Sequence, residues 1–103
     1  MKKIKRESIV SAEVRYSDKL TSFAKLVYGE LTSLMNEKGI CYEQNSYFED
    51  VFNVCGRHVT RAISNLAEQG FIDVTIKNGN EREIFVKDYK NIIDFSSTKK
   101  ESK

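Results

Sequence analysis

One histidine, His58, and two cysteines, Cys41 and Cys55, are the only soft metal ligands in the sequence. A structural zinc centre takes four such side chains at short spacings, so no zinc-ligand pattern can be assembled. No apolar run of signal or membrane length follows the basic start, which points to the cytoplasm. There the thiols stay reduced, so a Cys41 to Cys55 disulfide is not expected. A redox role for Cys55 would need an exposed, electropositive setting; the plainer expectation is a small residue at a helix cap. There is no Gly-rich phosphate loop and no Ser-His-Asp candidate set. The acids Glu43, Glu49 and Asp50 read as helix-start chemistry rather than an acid/base pair. No enzyme, no metal and no cofactor is therefore expected. The chain also lacks internal repeats.

What is present fits one small domain: 103 residues, 40% hydrophobic, with eleven aromatic residues for one modest core. The net charge of +2 says little by itself about partners, but its distribution does. Residues 1–20 hold six Lys or Arg against three acids, whereas residues 21–56 hold two against five. Arg57 and Arg61 are then the only charges between Arg57 and Ala67.

That basic stretch, Asn53 to Gly70, organises the reading. In a helix over 56–69, Val59, Ala62, Ile63, Leu66 and Ala67 recur at spacings of three and four and form one apolar stripe. Arg57, His58, Thr60, Arg61, Ser64 and Asn65 fall on the other side. None is acidic, and all can donate hydrogen bonds to base edges or phosphates, as a recognition helix in a DNA groove does.

The flanking chain supplies a scaffold. Residues 1–7 read as a flexible basic arm and 96–103 as a disordered polar tail, leaving 8–95 as the folded domain. Ser8–Tyr16 is rich in β-formers and is expected to cross the core as a short extended segment, burying Ile9 or Val10 and then Val14. A first helix should start at Thr21 or Ser22 and run to about Lys38, with Gly39 as its stop. Its stripe is Ala24, Val27, Leu31, Leu34 and Met35, broadened by Phe23, Leu26 and Tyr28. Ile40–Tyr42 reads as a very short strand. Asn45 or Ser46 caps a second helix over Tyr47–Phe52, with Phe48, Val51 and Phe52 inward and Glu49 and Asp50 in its first turn. Asn53–Gly56 is the turn, with Val54 as an inward plug and Cys55 as a weak cap of the recognition helix. After Gly70, Phe71–Ile76 and Glu81–Val86 flank Asn78-Gly79, the strongest short hairpin signal. Ile72, Val74 and Ile76 should share a face opposite Ile84 and Val86. Residues 87–95 are expected to form a short helix that packs Tyr89, Ile92 and Phe95 on the body.

Helix, short strand, helix, turn, helix and β-hairpin is the order of a winged helix-turn-helix domain, α+β but mainly α, with three helices, a wing and an extra strand. Four segments also carry a resemblance. Ser11-Ala-Glu-Val-Arg-Tyr16, Leu20-Thr-Ser-Phe-Ala-Lys-Leu-Val-Tyr-Gly-Glu-Leu31, Asn45-Ser-Tyr-Phe-Glu-Asp-Val-Phe-Asn-Val54 and Arg57–Ile72 resemble the N-terminal winged-helix domain of phage and plasmid replication initiators and DnaD-like replisome organisers. The resemblance covers about residues 8–90 and implies origin DNA, a homodimer or higher oligomer, and replication proteins as partners. The C-terminal region that recruits helicase or its loader in that family is not matched here, so the chain is read either as a fragment of a longer initiator or as a stand-alone binder, and helicase recruitment is not carried over.

The DNA-facing candidates are thus Arg57, His58, Thr60, Arg61, Ser64 and Asn65 on the recognition helix, Ser46 and Tyr47 at the start of the second helix, and Lys77, Asn80 and Arg82 in the wing over 76–82. Arg57 and Arg61 lie one turn apart, so one can reach a guanine edge while the other holds phosphate. Two other functions stay open: a winged helix used for protein interaction or dimerisation, and a small transcriptional repressor. No membrane and no small-molecule substrate is expected.

Overall fold

A hydroxyl that accepts from the amide three residues on starts a helix, and the described residues use the device twice. In a computed structural model that describes residues 10–77 and 81–92, Ser11 caps α1 (Ala12–Arg15) through the Val14 amide at 3.5 Å. Thr21 caps α2 (Ser22–Leu34) through the Ala24 amide at 3.0 Å. The extended segment expected over Ser8–Tyr16 is therefore replaced, from Ala12, by a turn of helix, because a local cap outweighs the weak β preference of Val10 and Val14. Val14 is fully buried all the same; Ile9 lies outside the described residues.

α2 stops four residues short of Lys38. Asn36 replaces the helical ladder with bonds of its own: its side-chain oxygen accepts from the Lys38 and Ile40 amides at 2.8 and 3.1 Å, and its own amide donates to the Ile40 carbonyl at 3.0 Å. Gly39 is thus not a helix stop but part of this turn, at φ +80°. A Cβ on it would lie 2.5 Å from Cγ of Tyr89, so both backbone and ring demand glycine. On α2, Leu26 does not broaden the core stripe; it is exposed. β1 (Ile40–Cys41) follows, without Tyr42, which is also exposed.

α3 (Asn45–Phe52) is preceded by Gln44, whose side chain makes no cap bond, so neither Asn45 nor Ser46 is the cap. With the start at Asn45, Glu49 and Asp50 fall beyond the first turn. Phe48 is fully buried and Phe52 meets Phe23 edge-on at 5.2 Å. Val51, expected inside, is 47% exposed. Asn53 then takes the left-handed conformation, φ 57° and ψ 52°, and three residues turn the chain into α4 (Gly56–Glu68). The end of α4 is closed by two bonds around Gly70, itself at φ +84°. The Gly70 amide donates to the Ala67 carbonyl at 3.1 Å and the Phe71 amide to the Leu66 carbonyl at 3.0 Å, the paired pattern that satisfies the last carbonyls of a helix.

β2 (Ile72–Lys77) and β3 (Glu81–Val86) pair antiparallel from Ile72 opposite Val86 to Lys77 opposite Glu81. β1 adds to the other side of β3, with Ile40 opposite Phe85, so the sheet order is β1-β3-β2. The Asn78-Gly79 turn lies outside the described residues. Of the shared-face residues only Ile72 reaches the core; Val74 and Ile76 are 38% and 57% exposed, because the hairpin runs past the body. Residues 89–92 are helical, with Ile92 buried and Tyr89 edge-on to Phe85; Phe95 lies outside the described residues. The core is a layer of Val27, Leu31, Phe48, Val59, Leu66 and Ile84 between the three main helices and the sheet. Each such side chain contributes about 1.5–3 kcal/mol on burial. The architecture is a winged helix-turn-helix, with α1 and the turn over 89–92 added to the three helices read from the sequence.

Candidate nucleic-acid interface

The stripe Val59, Ala62, Ile63 and Leu66 is buried, and that fixes which side of α4 meets solvent. Arg57, His58, Thr60, Arg61 and Ser64 are exposed on it. Two arginines at i and i+4 repel by a few tenths of a kcal/mol. Neither arginine has an ion-pair partner among the described residues. A face that stability alone would not select is therefore left free for an anion.

The start of α4 is weakly closed. Cys55 occupies the cap position but makes no cap bond; its Sγ lies 3.2 Å from Nδ1 of His58. Hydrogen bonding to His58 pulls the Cys55 thiol down to about 7. Glu49, partly buried, places Oε2 2.7 Å from where a Cβ on Gly56 would sit. Its carboxylate thus faces the positive end of the α4 dipole rather than that of its own helix. A carboxylate therefore already occupies the space at that helix start.

Three of the sequence candidates have other work. Asn65 uses both ends of its amide on the segment before α2: Oδ1 accepts from the Thr21 amide at 3.0 Å and Nδ2 donates to the Lys19 carbonyl at 3.1 Å. It braces α4 against that segment. Tyr47 is half-buried, edge-on to Phe48, and its hydroxyl donates to the Glu30 carboxylate, so it packs rather than reaching for phosphate. Arg82 donates from Nη1 to Asn45 Oδ1 at 2.7 Å and from Nη2 to the Glu43 carbonyl at 2.8 Å. Its Nε is buried without a partner among the described residues, and burial lowers its pKa. Asn45 in turn donates to the Thr60 hydroxyl at 3.0 Å. One chain of bonds therefore ties wing, α3 and α4 together, and it leaves Thr60 Oγ1 free to donate outward.

Ser46 is exposed in the first turn of α3, and Lys77 pairs with Glu83 at 3.4 Å across the wing. Asn80 lies outside the described residues. Between α4 and the wing runs a groove of about 300 Å³, walled by Ile63, Ala67, Val74 and Ile76. On the opposite flank a wider groove of about 570 Å³ separates α4 from Lys19, Thr21 and Phe23. Lys19, Asn45 and Glu49 are the residues that sequence reasoning missed in this region. No local signal marks Lys19, since the Asn65 bonds span 44 and 46 residues, and local reading gave Asn45 and Glu49 only helix-start roles on α3.

Among the described residues no group of three or more His, Cys, Asp or Glu could hold a metal ion, and no helix is long and apolar enough to cross a membrane. The family model described as a helix-turn-helix domain matches residues 18–72, from just before α2 to the first residue of β2. No curated protein and no solved structure matches the chain.

Proposed function

The chain belongs to the helix-turn-helix domain family, and from that premise we propose that it binds double-stranded DNA sequence-specifically at a replication origin, as the DNA-binding domain of a phage or plasmid replication initiator. α4 enters the major groove, Arg57 reads a guanine edge, Arg61 meets phosphate, and Thr60 and Ser64 contact bases or backbone between them. The observation that carries this reading is the exposed, acid-free face Arg57, Thr60, Arg61, Ser64 on a helix braced by Asn65 and by the Arg82 and Asn45 bonds. The origin assignment draws on the run Leu20-Thr-Ser-Phe-Ala-Lys-Leu-Val-Tyr28, the most telling part of the resemblance to replication initiators. The protein acts in the cytoplasm as a binding module and not as an enzyme.

Duplex affinity measured against salt tests the proposal. The wild type should show a steep slope, and Arg57→Ala with Arg61→Ala should flatten it, by about one for each phosphate that the variant no longer neutralises. A wild type with no duplex binding at low salt ends the DNA reading. A second reading, a dimerisation module, is favoured by Leu26 on α2 and Val51 on α3, apolar side chains 58% and 47% exposed. It would be supported by a concentration-dependent dimer in sedimentation.

A further inference from the structure

The two flanks of α4 differ in how much charge they leave free. On the wing flank Lys77 is paired with Glu83, and the Arg82 guanidinium is half-buried and bonded to Asn45 and Glu43. On the other flank Lys19 and Arg61 both line the 570 Å³ groove, both are exposed, and neither is ion-paired among the described residues. Lys19 is also held in place. The two Asn65 bonds, to its carbonyl and to the Thr21 amide, fix the strap Lys19–Thr21 against the third turn of α4. The planar amide can satisfy both only at one orientation of strap and helix.

We propose that this groove seats the phosphodiester backbone of one DNA strand, with Lys19 and Arg61 as its cations and Asn65 as the positioning residue. The inference rests on the DNA reading above and deepens it: the electrostatic anchor is the strap, while the wing offers the apolar wall of Val74 and Ile76. The α2 start does not supply the anchor, because the Thr21 hydroxyl accepts from Ala24 and its amide is taken by Asn65. Among the described residues Glu68 is the one acid on the groove, and it stands at the last turn of α4. It repels phosphate there and bounds the path of the strand.

The test is salt-dependent binding of the full chain to two short duplexes of unrelated sequence. Lys19→Ala should lower the salt slope by about one and weaken both duplexes by the same factor, the mark of a contact to backbone rather than base. Glu68→Gln should tighten both, and Lys77→Ala should change the slope less than Lys19→Ala. In an Asn65→Ala background the Lys19→Ala change should lose most of its effect. If Asn65 only stabilised the fold, the share of the slope due to Lys19 would survive. Duplex binding whose slope ignores Lys19 overturns this inference alone. Absence of all duplex binding removes the DNA reading and takes the inference with it.

Discussion

The two ends of α4 are built to different standards. At its C-terminal end Gly70 and Phe71 return two amides to the last carbonyls, and Gly70 adopts the left-handed conformation without strain. At its N-terminal end the cap residue is a cysteine whose side chain makes no cap bond, and the first helical residue is a glycine, each worth roughly 1 kcal/mol less than a good alternative. The closed end faces the body of the domain and the start of the wing. The loose end carries Arg57, His58 and Thr60. Good capping is thus found where the helix is held by protein, and is relaxed where it is offered to a ligand.

Three substitutions sharpen or break that contrast. The largest effect is expected at the closed end: Gly70→Ala should cost about 1–2 kcal/mol in chemical denaturation. Nothing lies within 4 Å of the new Cβ, so the loss would be purely conformational. A smaller change of opposite sign is expected at the loose end. Cys55→Ser supplies the missing acceptor and should add about 1 kcal/mol; no gain would mean that the start of α4 is already satisfied and that the contrast is false. The smallest effect concerns the thiol itself. Hydrogen bonding to His58 holds Cys55 near 7, so its alkylation rate should rise to half its maximum near that pH and shift to the ordinary thiol range in His58→Ala. Because the folded-state value is depressed, the thiolate favours the fold above the ordinary thiol range, and that contribution fades as pH falls through about 7. The pH dependence of Tm across that window should accordingly flatten in Cys55→Ser.

Much of the scaffold is legible in the sequence because it is written in local code. The Val59 to Leu66 stripe, Gly70 and the Thr21 cap each act within a few residues, and the structure places the corresponding helix, stop and helix start accordingly. α1 escapes such reading because a four-residue helix is too short to show a period, and its Ser11 cap is masked by the β preference of its neighbours. The early end of α2 escapes it because Asn36 ends the helix by side-chain bonds that apolar spacing cannot reveal. On the recognition face, exposure of Arg57, Arg61 and Ser64 follows from periodicity alone. The bonds of Asn65 and Arg82 do not, since their partners come from segments distant in the chain.

The bonds from Arg82 through Asn45 to Thr60 have a consequence for transplantation. A hairpin is often treated as a module that can be moved between domains, yet the pitch of this one over α4 is encoded outside it, at the side chains of Asn45 and Thr60. Grafted alone onto another three-helix scaffold, β2 and β3 would keep their register and lose their aim. Exchanged together with those two positions, they would carry the angle as well.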